Sequence, residues 1–191
     1  SILKTFLKET DSVRVACFGV AGPIQDGTCR MLNLPWSLSE KKTAKAFQIG
    51  RVHLINDLEA TAYGMLHLQP NDRVILNRGK VKSGNRVVLA AGTGLGEAIL
   101  CEKGQEMIPM ASEGGHSDFA PRNETEMALL RFLVKKYDHV SYERILSGPG
   151  LLNLYAFLLE SGYPEPPNMA RYRHKQGPSE AITTLGLGQT S

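Results

Sequence analysis

Apolar residues recur at two different spacings along the chain, and the changes of spacing locate the predicted elements. ILKTFL (2–7) has helical spacing and predicts a first helix, whereas VRVACFGVAGPI (13–24) predicts a buried strand that ends at its glycine and proline. RVHLIN (51–56) predicts a second strand, and LEATAYGMLHL (58–68) predicts a helix that stops before Pro70. The first part of the chain therefore alternates predicted helices with short apolar strands.

The middle of the chain has the alternating pattern that is typical of strands. RVILN (73–77) and RVVLAA (86–91) predict two strands, and the sequence up to Met110 continues as turn, strand, turn and strand. This order indicates antiparallel ribbons. Strands mixed with helices in both halves make the expected fold class α/β.

The last part of the chain is mainly helical by pattern. ETEMALLRFLVKKY (124–137) predicts a helix with Asn123 as its N-cap and Glu126 as the capping-box partner. SYERILSGPGLLNLYAFLLE (141–160) predicts two helical pieces that are broken at Gly148-Pro149-Gly150. The polar, proline-rich segment 163–180 is predicted to be a surface loop.

Composition narrows the functional classes. The 191 residues are 42% hydrophobic and 21% charged, as in an ordinary globular protein, and the net charge of +3 is too small to indicate nucleic acid or a membrane surface as partner. The 3 cysteines form no CxxC or CxC pair, so neither a disulfide framework nor a zinc knuckle is indicated. We expect a cytoplasmic protein.

Asn56 and Asp57 stand where the second predicted strand gives way to a helix. Ligands of open α/β sheets bind at such carboxyl ends of strands. An aspartate there can accept the proton of a substrate hydroxyl, as phosphoryl transfer to an alcohol requires. Plain helix capping is the alternative, because Asn and Asp are preferred N-cap residues. Both interpretations remain open, since one residue can cap the helix while its neighbour faces a ligand.

Gly92-Thr93-Gly94-Leu95-Gly96, the glycine turn, follows a predicted strand. Glycines at alternate positions let backbone N–H groups approach phosphate oxygens closely, and Thr93 adds a hydroxyl. No Gly-Lys-Ser/Thr ends the segment and a strand is predicted after it, so it is neither a P-loop nor a dinucleotide fingerprint. A tight hairpin turn is the alternative.

ASEGGHSDFAP (111–121) gathers polar side chains that could bind a metal, bind hydroxyl groups or form a solvated turn. Since a closed zinc site needs about four ligands and no cysteine lies nearby in sequence, we favour hydroxyl recognition by Glu113 and His116. Further along, Glu143 is unexplained by a capping box, because the box position after Ser141 is occupied by Arg144. Glu143 could instead be an acid in the first turn of a helix.

Several of these segments together resemble the bacterial glucokinase family. The segments occur in the family's order and at its spacing over roughly residues 13–160; they are VACFGVAGPIQDG, LNLPW, LINDLEATAYG, AAGTGLGEA, SEGGHSDFAPR and HVSYERILSGPGL. The resemblance implies an actin/hexokinase-like (ribonuclease H-like) ATPase fold, with a small and a large α/β domain that close over a cleft. We expect residues 1–66 in the small domain and residues 67–191 in the large one.

The resemblance also implies a reaction and roles for residues. The family transfers the γ-phosphoryl group of ATP to the 6-hydroxyl of glucose. Asp57 resembles the catalytic base of that reaction, and the other sugar contacts are expected at Asn56, Glu113, His116, Glu143 and Asn33. At Asn33 the family's Thr-Asn pair is altered, since Leu32 replaces the threonine. Gly92, Thr93, Gly94 and Gly96 resemble the second phosphate-binding turn.

The expected ligands are therefore glucose and ATP, the latter as its complex with Mg²⁺. No structural zinc is expected, and assembly as a homodimer is left open. The family's Asp-x-Gly-Gly-Thr turn and its adenine-binding segment are not found in this sequence. We therefore expect a chain truncated at both ends that is inactive alone. A non-catalytic sugar-binding or regulatory protein of the same fold, or a kinase for another hexose, remains the alternative.

Overall fold

The computed structural model describes residues 2–7, 12–31, 35–80 and 82–188. Helices and strands alternate in this part of the chain, as expected for an α/β protein. The helices are α1 (Ile2–Leu7), α2 (Glu40–Phe47), α3 (Asp57–Met65), α4 (Glu124–Leu133), α5 (Gly148–Glu160), α6 (Met169–Gln176) and α7 (Pro178–Gly186). The strands are β1 (Val15–Val20), β2 (Ile24–Gln25), β3 (Thr28–Arg30), β4 (Ser37–Ser39), β5 (Arg51–Asn56), β6 (Arg86–Ala91), β7 (Leu95–Lys103) and β8 (Glu106–Ser112). Short 3₁₀ helices are Pro70–Asp72, Gly114–His116 and Tyr142–Arg144.

The chain divides into two compact units. The first unit contains 1–88 and 98–111, and the second contains 89–97 and 112–191. The expected domain boundary after residue 66 concerns the whole protein and stays a prediction.

The parallel pair β1–β5 organises the first unit. Its register runs from Val15 opposite Arg51 to Val20 opposite Asn56, so both strands end at the same edge of the sheet. Buried side chains beneath this pair form the first core cluster, which consists of Val20, Cys29, Ile49, Val52 and Leu54. The strand β1 is less buried than its sequence predicted, since Val15 is 64% exposed. In the described chain β1 pairs only with β5, which leaves its other edge and part of its face uncovered.

Glu40 holds the strand β5 to the rest of the first unit. Its carboxylate accepts a hydrogen bond from the backbone N–H of Leu54 at 2.8 Å and lies 3.0 Å from Nδ1 of His53. The same carboxylate occupies the space where a side chain at Gly27 would lie, and Gly27 also has a φ of +67°. Glycine is therefore required in the turn before β3 on two counts. This turn belongs to the antiparallel sheet β2–β3–β4.

The strands β6, β7 and β8 form a third sheet in chain order. Only two residues, Gly104 and Gln105, connect β7 to β8, and Gly104 has the positive φ of +65° that such a turn needs. The buried side chains of this sheet pack against α3, in a core cluster that consists of Ala62 of α3 together with Val88, Ala98 and Leu100. The predicted ribbon of strands is confirmed for 86–112. The predicted strand at 73–77 is wrong, because Val74, Ile75 and Leu76 lie exposed in irregular structure.

The helix α4 and the segment after it provide the core of the second unit. Leu129, Leu133, Val140 and Ile145 are buried together, and truncation of the fully buried Leu133 to alanine would cost about 2–5 kcal/mol. Asn123 caps α4 as predicted, since its Oδ1 accepts from the N–H of Glu126 at 2.9 Å. The carboxylate of Glu126 accepts from the N–H of Arg122, one residue before the position that a capping box would use. That hydrogen bond lowers the pKa of the Glu126 carboxyl below its ordinary value.

The Gly-Pro-Gly segment begins a helix, although its sequence predicted a break between two helices. The Ser147 hydroxyl accepts from the N–H of Gly150 at 3.0 Å and caps α5, while Pro149 lies in the first turn. Proline is favourable there because its missing N–H has no partner within the helix anyway. The break lies before this point, between the 3₁₀ helix Tyr142–Arg144 and Ser147.

The segment predicted as a surface loop at 163–180 is largely helical. It contains α6 and the beginning of α7, and one residue of each helix is buried: Met169 is 1% exposed and Ala181 is 0% exposed. Few apolar residues occur in α6, so its sequence carries a weak helical signal and packing stabilises it instead. Among the described helices, none combines the length and the apolar composition that crossing a bilayer would require.

Candidate functional site

Asn56 and Asp57 lie at the junction of β5 and α3, at the carboxyl edge of the parallel pair. Asn56 is the N-cap of α3, because its Oδ1 accepts from the N–H groups of Leu58 at 2.9 Å and Glu59 at 3.4 Å. Asp57 is the first residue of the helix, and its Oδ1 also accepts from Leu58 at 3.0 Å. Within the described chain, Oδ2 of Asp57 and the amide nitrogen of Asn56 have no hydrogen-bond partner. Both groups are therefore available to a ligand.

The expected sugar ligands of the second unit come together at two 3₁₀ helices, where Glu113 precedes the first, His116 ends it and Glu143 lies in the second. His116 lies between two carboxylates: its Nε2 is 3.8 Å from Oε2 of Glu113, and its Nδ1 is 3.9 Å from Oε1 of Glu143. Glu113 and His116 are neighbours in sequence, but Glu143 lies on a separate segment. The fold therefore joins the residues that the sequence placed in separate motifs.

Exposure differs among these side chains in a way that suits recognition of a polar ligand. The side chains of Glu113 and His116 are 74% and 56% exposed, whereas that of Glu143 is 25% exposed. Two carboxylates can accept hydrogen bonds from adjacent hydroxyl groups, and a neutral imidazole can both donate and accept. The arrangement can thus hold a polyol while water still reaches it.

Close packing of glycines against β7 brings the two 3₁₀ helices to the glycine turn. A side chain at Gly114 would overlap the Glu97 carboxylate, and one at Gly115 would overlap the backbone oxygen of Leu95. A side chain at Gly94 would lie 2.5 Å from Oε2 of Glu143. The glycines in both motifs therefore allow contacts between main chain and side chain that any larger residue would block.

The glycine turn has a fixed shape and unused hydrogen-bond donors. The N–H of Gly92 donates to the backbone oxygen of Gly94 at 2.8 Å, and the N–H of Gly148 donates to the oxygen of Gly92 at 2.8 Å. In the described part of the chain, the N–H groups of Thr93 and Gly94 and the Thr93 hydroxyl make no hydrogen bond. Apart from its chain neighbours, no residue has an atom within 4 Å of the place where a side-chain carbon at Gly92 would lie. The turn therefore presents donors of the kind that bind phosphate oxygens.

A depression of about 580 Å³ lies beside the glycine turn within the second unit. Its walls come from the glycine turn, the start of α5 and one face of α7, and they are mostly apolar; they include Gly92, Ile145, Leu151, Leu154 and Thr183. This volume lies within the range typical of small-molecule sites, which is roughly 300–1,000 Å³.

Some parts of the candidate site could not be read from the sequence. The N–H of Leu95 donates to Glu143, and the Glu97 carboxylate lies against Gly114, next to Glu113. Neither contact was predicted, because a carboxylate in a strand and a backbone group carry no motif. Asn33 lies outside the described residues. In the residues that the structure describes, no three His, Cys, Asp or Glu side chains are grouped so that they could hold a metal ion. The expectation of no structural zinc stays a prediction.

Comparison with solved structures defines the class of protein to which this chain belongs. The chain resembles the crystal structure of a glucokinase from an Antarctic psychrotroph, with 29% sequence identity and a TM-score of 0.75, over 97% of this chain and 60% of that one. A glucokinase from Balamuthia mandrillaris in complex with glucose is 23% identical, with a TM-score of 0.65, over 97% of this chain and 60% of that one, and supports the fold alone. The fold is therefore the expected actin/hexokinase-like α/β fold, of which this chain contains a part.

Sequence comparison gives the family within that class. A family model described as Glucokinase matches residues 1–191. A curated glucokinase from Synechocystis sp. is 46% identical over 158 residues, which make up 81% of this chain and 44% of the relative. The chain belongs to the glucokinase family, and it spans about half the length of the curated relatives that it matches.

Proposed function

We propose that the full-length protein is a glucokinase, which transfers the γ-phosphoryl group of ATP to the 6-hydroxyl of glucose. The observation that carries this proposal is the convergence of Glu113, His116 and Glu143 beside a glycine turn with unused donors, in a chain of the glucokinase family. A polyol-binding cluster and a phosphate-binding turn in one compact unit are what a sugar kinase needs.

Asp57 is the proposed catalytic base. As the sugar oxygen forms its bond to the γ-phosphorus and the bond to ADP breaks, the hydroxyl proton passes to the free Oδ2 of Asp57. Capping of α3 by Asn56 supports this role, because it holds the helix end without occupying that oxygen. The remaining amide nitrogen of Asn56 would donate a hydrogen bond to the sugar.

The sugar ring is held by the second unit in this proposal. Glu113 and Glu143 accept hydrogen bonds from ring hydroxyls, and His116 completes the set from its position between them. Several hydrogen bonds to one ring favour a single orientation, which selects the hydroxyl that reacts. Asn33 is proposed as a further sugar contact on the strength of the family resemblance alone.

ATP is the proposed phosphoryl donor, and its phosphates would bind at Gly92, Thr93, Gly94 and Gly96. The unused N–H groups of Thr93 and Gly94 suit the phosphate oxygens, and the adjoining apolar depression is large enough for the rest of a nucleotide. Mg²⁺ would arrive with ATP and neutralise charge on its phosphates. Cytoplasmic location and a homodimer remain predictions.

Calorimetry on the full-length protein separates the kinase from a sugar-binding protein of the same fold. Glucose is titrated with and without Mg²⁺ and a non-hydrolysable ATP analogue, and mannose and fructose are titrated as comparison sugars. We expect glucose to bind more tightly than the other two sugars and its affinity to change when the analogue is present. Glucose binding that is indifferent to the nucleotide would favour the binding protein, and preference for another sugar would favour a kinase for that hexose.

A further inference from the structure

Glu143 contacts the glycine turn directly as well as the sugar-binding cluster. Its Oε2 accepts a hydrogen bond of 3.0 Å from the N–H of Leu95, although the two residues are 48 positions apart in sequence. The same oxygen lies over Gly94, which has no side chain to displace it. The other oxygen, Oε1, faces His116. The carboxylate of Glu143 thus has one oxygen toward the glycine turn and the other toward the proposed sugar contacts.

The main chain of Glu143 is also held in place. The Ser147 hydroxyl donates to the backbone oxygen of Glu143 at 2.7 Å while it caps α5. The next residue, Gly148, donates its N–H to the oxygen of Gly92 at the start of the glycine turn. The side chain of Glu143 therefore holds one end of the turn through Leu95, and the main chain of Gly148 holds the other end through Gly92.

This arrangement leaves the unused donors at the centre of the turn. Gly92 and Leu95 use their N–H groups inside the protein, whereas Thr93 and Gly94 between them do not. The direction of those free N–H groups depends on the fixed ends of the turn. The hydrogen bond from Leu95 to Glu143 is one of the contacts that fix the end of the turn next to β7.

We infer that Glu143 is a positioning residue for the phosphate-binding turn in addition to its contact with the sugar, so that sugar and nucleotide binding are energetically coupled through its carboxylate. This inference rests on the proposed function. A sugar hydroxyl that binds Oε1 changes the position and charge distribution of the same group that orients Leu95. By linkage, nucleotide on the turn must then change sugar affinity by the same factor.

The test uses variants of the full-length protein with and without the acceptor at position 143. Glu143→Met removes the acceptor but fills the space beside Gly94, and Glu143→Ala removes both. Glu143→Gln keeps an oxygen that can accept from Leu95. Glu113→Ala is the matched control, because Glu113 also faces His116 but does not contact the glycine turn in the described chain. Thermal unfolding checks that each variant is folded.

The measurement is the affinity for ADP with Mg²⁺, by calorimetry, without and with glucose. We expect Glu143→Met and Glu143→Ala to weaken ADP binding about tenfold without glucose, as loss of a charged hydrogen bond implies, and to abolish the effect of glucose on it. Glu143→Gln should keep ADP affinity within about twofold of the parent. Glu113→Ala should also keep ADP affinity within about twofold of the parent, while it weakens the binding of glucose. If only one of the two acceptor-free variants folds, that variant alone is sufficient for the test.

Two results would count against different parts of the account. Parent-like ADP affinity in the acceptor-free variants, in a parent that binds glucose and ADP, would overturn the inference and leave the proposed function standing. A parent protein that binds neither glucose nor ADP would overturn the proposed function itself.

Discussion

Asn56 and Asp57 divide two tasks between adjacent residues. Asn56 accepts the hydrogen bonds that the start of α3 requires, and the second oxygen of Asp57 has no partner in the described chain. The sequence allowed either task for either residue. The structure assigns the cap to Asn56, and the role of Asp57 as base remains the proposal.

The substitution Asp57→Asn tests the proposed base. Asparagine keeps the size of the side chain but cannot take up the proton of the hydroxyl, so we expect kcat in a coupled assay to fall by about 10²–10⁴-fold. Glucose affinity should change little, because the amide can still hydrogen-bond to a hydroxyl. Asp138→Asn is the control, since Asp138 is an exposed aspartate of the second unit, and its kcat should equal that of the parent. Equal rates in both variants would remove Asp57 from the mechanism.

The elements around the site show which contacts a sequence can predict. The junction of β5 and α3 was predicted because its strand pattern and its capping residues are local. The hydrogen bond from Leu95 to Glu143 was not, because it joins residues far apart in sequence and involves a backbone group. Glu143 was correctly recognised as unexplained by capping, and its contact with the glycine turn now accounts for one of its oxygens.

The elements that differ from the predictions differ for three physical reasons. The sequence predicts a break at the start of α5, because Gly-Pro-Gly resembles a turn when the serine cap before it is left out of consideration. The sequence does not predict the helices α6 and α7, because burial of Met169 and Ala181, rather than local propensity, stabilises them. At 73–77, in contrast, the local sequence predicts a strand that the fold does not form. The apolar run has the composition of a strand but has no pairing partner in the described chain.

A pair of glycine substitutions tests the close packing of the Gly114–His116 helix on β7. Alanine at Gly115 would overlap the backbone of Leu95, which cannot move aside easily, so we expect Gly115→Ala to destabilise the full-length protein by about 1–3 kcal/mol. Gly64→Ala is the control, because the added carbon in α3 would meet nothing within 4 Å apart from its chain neighbours and the helix's own backbone. That change should be neutral or stabilise by up to about 1 kcal/mol. Chemical denaturation measures both, and parent-like stability of Gly115→Ala would contradict the described packing.

At the scale of the whole molecule, this chain supplies the proposed base, the proposed sugar contacts and the turn proposed to bind phosphate. It corresponds to 60% of the psychrotroph glucokinase structure and to 44% of the cyanobacterial relative. Fold and family follow from several motifs that agree in order and spacing, which is why they could be predicted from the sequence. The proposed phosphorylation of glucose is an activity of the full-length protein, and it has to be measured on that protein.

The most direct measurement identifies the product of the reaction. Full-length protein is incubated with glucose, ATP and Mg²⁺, and phosphorus and carbon NMR follow the nucleotide and the sugar together. The proposed function predicts one ADP for each sugar phosphate, with the phosphate on the 6-hydroxyl of glucose. Release of ADP without a sugar phosphate, or binding of glucose with no reaction at all, would contradict it.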